Sequence, residues 1–417
     1  MRLKYVIFSA LLLITASRSS IVGDAHAQVS TGLDELIARH WAPLQGKNVG
    51  LITNQTGRAR DGEFGDSLFA RQTSFHLVAL YAPEHGIMGD RPAGVPSDTI
   101  ERIMGVPVYS LYGRTRKPTK TILRGVNALV FDIQDIGVRP YTFLSTMVLA
   151  MEAAAEQGIP FFVLDRPNPL SGERIEGNIL DTMLKSFVGQ VPVPYLHGMT
   201  LGEIATMAKA KGWFNKSADL KLTVIPMRGW KRSMNWNETG LAWTAPSPNI
   251  PSYASAVGAA MFGAMGELGV LSIGVGSDAP FLRLGSTLLT TGELLRFADS
   301  TLPRQLLLTP EDFTGSSSTG IKNYHGIKIG LPQNIETIPS LYEGQYQLLE
   351  AMLTDTAFRT SFDEIAYSSQ NMFAKVTGTH GLFDVLKHCE TLSPLFVQWH
   401  REAELFRQER APYLLYR

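Results

Sequence analysis

ALVFDIQDIGVRPYTFLSTMVLAMEAAAEQGIPFFVLDRPNPLSG, residues 128–172, is the stretch whose reading decides the fold. Its apolar opening, Ala128 to Phe131, ends abruptly in Asp132, Gln134 and Asp135. A helical pattern follows from Thr142 to Gln157, and Gly158 and Pro160 stop it. A second apolar run, Pro160 to Leu164, ends in Asp165 and Arg166. Two short buried strands joined by a crossover helix imply parallel pairing. Both strands carry carboxylates, and each is followed by an arginine (Arg139 or Arg166), just past the C-terminal end. That edge of an open parallel sheet is where ligands bind.

The same arrangement repeats upstream. Val49 to Thr53 reads as a buried strand with Asn54 and Gln55 at its exit, and Phe75 to Tyr81 as another, followed at once by Glu84-His85-Gly86. A polar, Gly- and Pro-rich loop runs from Ile87 to Asp98, and Val106 to Ser110 makes a further short strand. Downstream lie Glu173, Glu176 and His197, a helix over Thr200 to Lys211 with Glu203 at the capping-box position, and a strand in Leu220 to Met227. The loop that follows carries Trp230, Trp236 and Trp243, and its Pro246, Pro248 and Pro251 mark a boundary near residue 252. Beyond it, helices are expected at Ala254–Leu268, Thr291–Thr301, Ile338–Leu353 and Thr391–Phe406, with strands at Arg304–Leu308 and Ile327–Leu331. The fold class is therefore α/β. A parallel-sheet domain spans residues 28–252, and a smaller α/β domain spans 253–417.

A chain of 417 residues has core enough for two or three domains. Lys plus Arg and Asp plus Glu number 38 each, so no basic surplus advertises a nucleic acid or an anionic membrane. Arg2 and Lys4 precede the apolar run Val6 to Ala16, and Ala25-His26-Ala27 offers a cleavage site. Residues 1–27 read as a secretory signal peptide, with the mature protein exported to the periplasm or the extracellular space. The apolar run is too short to span a bilayer, which needs about 20 residues. No membrane insertion of the mature chain is expected. Cys389, the only cysteine, forms no intramolecular disulfide and reads as a buried apolar residue.

Glu84, Asp132, Asp135 and Glu176 are the candidate catalytic carboxylates, with His85 beside the first. Glycoside hydrolysis needs one acid and one base or nucleophile, about 5–5.5 Å apart for retention or 6.5–9.5 Å for inversion. Neighbouring strand tips in a parallel sheet, about 5 Å apart, meet either spacing. A metal cage built from His85, His197, Asp132 and Asp165 is the rival use of the same residues, but there is no HExxH motif. Gly274-Val275-Gly276-Ser277 lacks the third glycine of a dinucleotide fingerprint and reads as a turn. No GxxxxGK[ST] or GxSxG motif is present, which disfavours ATP use and a hydrolase serine. The tryptophans suit a packed seam better than a sugar platform.

With these residues in view, the chain resembles the NamZ-type exo-β-N-acetylmuramidases, a glycoside hydrolase family formerly classed as a domain of unknown function. The segments that carry the resemblance are GLITNQTGR (residues 50–58), LVALYAPEHGIMGD (77–90), PVYSLYG with KPT (107–119), LVFDIQDIGVRPYTFLSTM (129–147), VLDRPNPLSG with EGNILD, SFVGQVPVPYLHGMTLGEIA, and TAPSPNIP. The resemblance implies a Rossmann-like catalytic domain, a smaller C-terminal domain and an active site in the cleft between them. It implies release of N-acetylmuramic acid from the non-reducing ends of peptidoglycan fragments, with no cofactor. Its catalytic glutamate falls on Glu84. Its other polar motif positions fall on His85, Asp132, Asp135, Arg139, Asp165, Arg166 and Glu176; Asn54, Gln55 and His197 complete the candidate substrate-binding set. The second domain departs from the family pattern, with Val275 where an arginine usually stands. A non-catalytic or differently specific sugar-binding protein is therefore the alternative, and a metal-dependent hydrolase is the third reading.

Overall fold

The computed structural model describes residues 29–96, 101–317 and 320–417. The expected signal peptide, residues 1–27, lies outside them, as do Pro96's neighbours 97–100 at the end of the long loop. The N-terminal strands are β1 (Asn48–Thr53), β2 (His76–Ala82), β3 (Glu101–Ile103), β4 (Val106–Ser110), β5 (Ala128–Asp132) and β6 (Phe161–Leu164). A small ribbon follows, β7 (Glu176–Ile179) with β8 (Pro194–Leu196), and then β9 (Leu222–Ile225). The main sheet has the order β3-β4-β2-β1-β5-β6-β9 and is parallel except at the β3 edge. The crossover read from residues 128–172 is present: β5 and β6 are parallel neighbours, with Leu129 opposite Phe161.

Alternate residues of each strand serve opposite faces, as the two-residue period requires. Ile52, Leu129 and Phe131 meet α3 (Thr142–Gln157) and α4 (Leu201–Lys211) on one face. Leu51, Val130 and Leu164 meet α1 (Gly32–Ala38) and α2 (Gly65–Ala70) on the other. Covered on both sides, the strands have no polar alternation to show, which is why they read as short continuous apolar runs. Gly158 ends α3 in a left-handed conformation at φ 67°, its N–H bonded to the Ala154 and Ala155 carbonyls. The capping box of α4 forms as expected: the Thr200 hydroxyl accepts from the Glu203 N–H, and Glu203 accepts from the Thr200 N–H.

The C-terminal half begins with α5 (Tyr253–Gly266). An antiparallel sheet follows, with β10 (Arg283–Ser286), β11 (Leu307–Pro310) and β12 (Phe313–Ser317) all pairing with the long β13 (Gly320–Gly330). Around it stand α6 (Thr291–Thr301), α7 (Gly344–Met352), α8 (Thr356–Asp363), α9 (Tyr367–Thr377), α10 (Gly381–Lys387) and α11 (Ser393–Arg410). The last helix runs back across both halves. Its Trp399 packs with Tyr342 and Tyr346, while Ala403 and Phe406 enter the core under the main sheet.

Three expectations need correcting. The helix expected from Ile338 begins at Gly344, because the Glu176 carboxylate draws the Leu341 and Tyr342 N–H groups and the Ser340 hydroxyl out of helical pairing. The strand expected from Arg304 begins at Leu307, after a turn in which the Leu306 N–H bonds the Pro303 carbonyl. Cys389 is exposed rather than buried, in the link between α10 and α11.

Candidate active site

The chain direction reverses at β1. Strands β2 and β4 build outward on one side and β5, β6 and β9 on the other, so the topological switch lies between β1 and β5. The chain fills that crevice with its own loop. The Asn54 side-chain carbonyl accepts from the Thr56 N–H and hydroxyl, and the Thr56 hydroxyl accepts from the Gln134 N–H. A Cβ at Gly57 would stand 2.2 Å from the Thr53 hydroxyl. The open cavity lies further along the sheet edge, between the end of β2 and α5.

Its volume is about 230 Å³, and it takes walls from both halves of the chain. It is lined by Glu84, His85, Tyr141 and Thr142 from the N-terminal half, by Ser247 and Asn249 just before α5, and by Glu267 at the end of α5. Ala259 and Gly263, one turn apart on α5, keep that side shallow.

Glu84 follows the end of β2 by two residues and is only 7 % exposed. A sharp turn sets it there, with His85 at φ 70° and Gly86 at φ 77°. A non-glycine residue in that region carries strain of the kind that clusters at functional sites. The loop then folds back, so that the Gly94 N–H donates to Glu84 Oε1 at 2.8 Å. Glu84 Oε2 accepts from the Thr142 hydroxyl at 2.7 Å, which puts the carboxylate at the N-terminus of α3. Negative charge is stabilised there by the helix dipole. The Tyr112 hydroxyl is close too: burial, and after it the Glu84 charge, raise its pKa. His85 Nδ1 sits 2.8 Å from the Arg91 carbonyl, so that nitrogen carries a proton.

Glu267 caps the C-terminal end of α5. Glu267 is exposed, and the partial desolvation of its carboxylate raises its pKa. Nothing in the local sequence marks it, since it follows an Ala- and Gly-rich helix rather than a strand.

The other expected site residues lie elsewhere. Asp132 is fully buried and bound by Arg166 through both oxygens, at 2.6 and 3.0 Å; burial pushes its carboxyl up against the pull of that guanidinium. Arg166 also donates to the Arg58 carbonyl. Asp165 accepts from the Thr200 and Tyr416 hydroxyls and the Gly202 N–H, and burial raises it to about 6. It therefore ties α4 and the chain's C-terminal end to β6. Arg139 is fully buried; it donates to the carbonyls of Asn178 and Val193 and, across the two halves, to those of Val376 and Thr377. Glu176 pairs with Arg174 and anchors residues 340–342. His197 accepts from the Met199 N–H, and burial, aided by Arg410 and Arg139, depresses it to about 3. Asn54 and Gln55 belong to the self-filled crevice, Gln55 bonding the Ala245 carbonyl. Asp135 lies beside that crevice, away from the cavity lining. Asp132, Asp135, Glu176, Arg139, Asp165, Arg166 and His197 thus have hydrogen-bond partners within the protein and lie outside the lining of the cavity that carries Glu84.

The four groups offered for a metal cage do not converge. Among the described residues no three His, Cys, Asp or Glu side chains stand together as a metal site. Also among them, no helix is long and apolar enough to cross a membrane. Trp236 and Trp243 pack edge to face at 4.9 Å, and Trp230 packs on Tyr416 at 5.1 Å. Gly274 and Gly276, at φ 75° and 82°, form the expected turn.

Comparison with known proteins accounts for this geometry over nearly the whole length. The N-terminal model of the exo-β-N-acetylmuramidase NamZ family matches residues 49–254, and its C-terminal model matches residues 259–416. The chain belongs to the NamZ exo-β-N-acetylmuramidase family. The peptidoglycan β-N-acetylmuramidase NamZ of Bacillus subtilis (strain 168) is 36% identical over 408 residues, which cover 93% of this chain and 92% of that one. Two DUF1343 family proteins of Bacteroides fragilis NCTC 9343 have solved structures of the same fold. One superposes with a TM-score of 0.86 at 35% identity, the other with 0.75 at 27%; each comparison covers 94% of this chain and 99% of the other. The resemblance read from the motifs is borne out, and so is the α/β class. Membership of the NamZ family makes the chain a glycosidase.

Proposed function

We propose that this family member is an exo-acting glycoside hydrolase that removes N-acetylmuramic acid from the non-reducing ends of peptidoglycan fragments, in cell-wall turnover. The observation that carries this reading is the cavity lined by both Glu84 and Glu267. Its volume, about 230 Å³, falls just below the usual range of small-molecule sites, about 300–1,000 Å³. Such a pocket suits one terminal ring better than a length of glycan.

The environments of the two glutamates divide the chemistry. Desolvation keeps Glu267 protonated to higher pH, which suits the acid that protonates the leaving oxygen. Glu84 receives donors at both oxygens and lies at a helix N-terminus, which suits the base or nucleophile. The test is incubation with a muramic acid–glucosamine disaccharide and with long glycan strands. Free N-acetylmuramic acid is expected from both, released stepwise from one end. Internal cleavage of the strands would overturn the exo reading, and binding without release would favour the sugar-binding alternative.

The substrate lies in the cell wall, and the charged, apolar and small-residue succession at the N-terminus supports export. The mass of the native protein should match a chain beginning near Gln28. Retention of residues 1–27 would refute export by that route.

A further inference from the structure

Muramic acid differs from glucosamine by a lactyl ether bearing a carboxylate, so an enzyme that prefers it needs a cation beside the sugar. Neither arginine suggested by the strand tips lines the cavity that carries Glu84. Both terminal nitrogens of Arg139 are bonded to carbonyls, and Arg166 is held by Asp132 and Arg58. We propose that Arg116 is the specificity-determining residue, holding the carboxylate of the acidic sugar bound against Glu84.

Arg116 is exposed, yet its position is fixed by aromatic rings. Its guanidinium carbon lies 4.2 Å from the ring centre of Phe187 and 4.9 Å from that of Tyr112. These two rings pack against each other at 5.6 Å. A guanidinium stacked on a ring keeps N–H groups at its edge, and that edge is what matches a carboxylate in two parallel hydrogen bonds.

Tyr112 links this cation to the reacting centre. Its hydroxyl has Glu84 on one side and Arg116 on the other as hydrogen-bonding neighbours. Arg116 is thus one side chain removed from Glu84. Val188, next to Phe187 in the chain, lines the cavity itself. Among the described residues no carboxylate forms an ion pair with Arg116. By comparison, Arg91 is paired with Glu101 and Lys117 with Glu152 and Glu156.

This inference rests on the muramidase reading, and the experiment separates the two. kcat/KM is measured on chromogenic β-glycosides of N-acetylmuramic acid and N-acetylglucosamine for wild type, Arg116→Met and Arg116→Lys. A charge-assisted hydrogen bond corresponds to a preference of about 10- to 150-fold for the acidic sugar in wild type. Arg116→Met should abolish most of that preference by slowing the muramic substrate alone, with the glucosamine substrate within about twofold of wild type. Arg116→Lys should restore part of it, since lysine keeps the charge without the fork. An unchanged ratio in Arg116→Met, or equal slowing of both substrates, overturns the role of Arg116. Failure of wild type to cleave either glycoside overturns the muramidase reading instead.

Discussion

Glu84→Gln is expected to lower kcat on a muramic acid glycoside by about 10²–10⁴-fold while the unfolding midpoint stays near that of wild type. The fold should tolerate the change because the hydrogen bonds from Gly94 and Thr142 survive it. The Gly94 N–H can only donate, so the amide oxygen must take its place at Oε1. The amide nitrogen then faces the Thr142 hydroxyl, which rotates from donor to acceptor. What disappears is the negative charge and the capacity to accept a proton. Glu267→Gln should behave differently. Its loss is that of an acid, so a substrate with a highly activated phenolate leaving group should recover most of the rate in Glu267→Gln and little in Glu84→Gln. Recovery in both variants, or in neither, would contradict the division of labour. A Glu84→Gln enzyme at half the wild-type rate would remove Glu84 from the chemistry.

Residue patterns alone revealed the layers of the fold well and its site only partly. The parallel sheet was legible because burial on both faces leaves a continuous apolar run, and because Gly158 and the Thr200–Glu203 box mark helix ends locally. Glu84 was legible for a similar reason, standing directly after such a run with a strained turn behind it. Asp132, Asp165 and Arg166 stand after equivalent runs and are held by partners within the protein. Their partners lie 34, 35 and 251 residues away in Arg166–Asp132, Thr200–Asp165 and Tyr416–Asp165, and no local pattern announces them. A carboxylate at a strand tip suits ligand binding and helix capping equally, since both present N–H groups to it. Which use prevails depends on what the rest of the chain brings to that tip. At β6 it brings α4 and the C-terminal residues; at β2 it brings a cavity. Glu267 stood out for no such reason, since it ends an Ala- and Gly-rich helix and only the fold brings it to the cavity that Glu84 lines.

Asp135→Asn should make the protein progressively more stable than wild type as pH rises from 4 to 8. Asp135 is buried, with Oδ2 accepting from the Gly137 N–H at 2.8 Å and Oδ1 without a hydrogen-bond partner. Desolvation raises its carboxyl to about 7, against the opposing backbone N–H groups of Gly137 and Ile136. An unfolded aspartate titrates near 3.9, so between about 3.9 and 7 the folded protein binds the extra proton. Stability from this group is therefore complete below about 3.9 and is lost as pH rises through 7. A shift of about three pKa units corresponds to on the order of 4 kcal/mol. Asparagine cannot ionise, keeps an oxygen for the Gly137 N–H and escapes that loss. Asp165, raised to about 6, slopes in the same direction as Asp135. His197, depressed to about 3, slopes the other way, its contribution lost as pH falls below about 6.5. Both are common to the two proteins and cancel in the difference. Denaturant unfolding of both at pH 4, 5.5, 7 and 8 reads that difference directly. A flat difference would mean that Asp135 titrates as it does in water, with its second oxygen solvated. Because Asp135 lies outside the cavity lining, the variant should also keep its turnover within a few-fold, and a collapse of kcat would return Asp135 to the catalytic set.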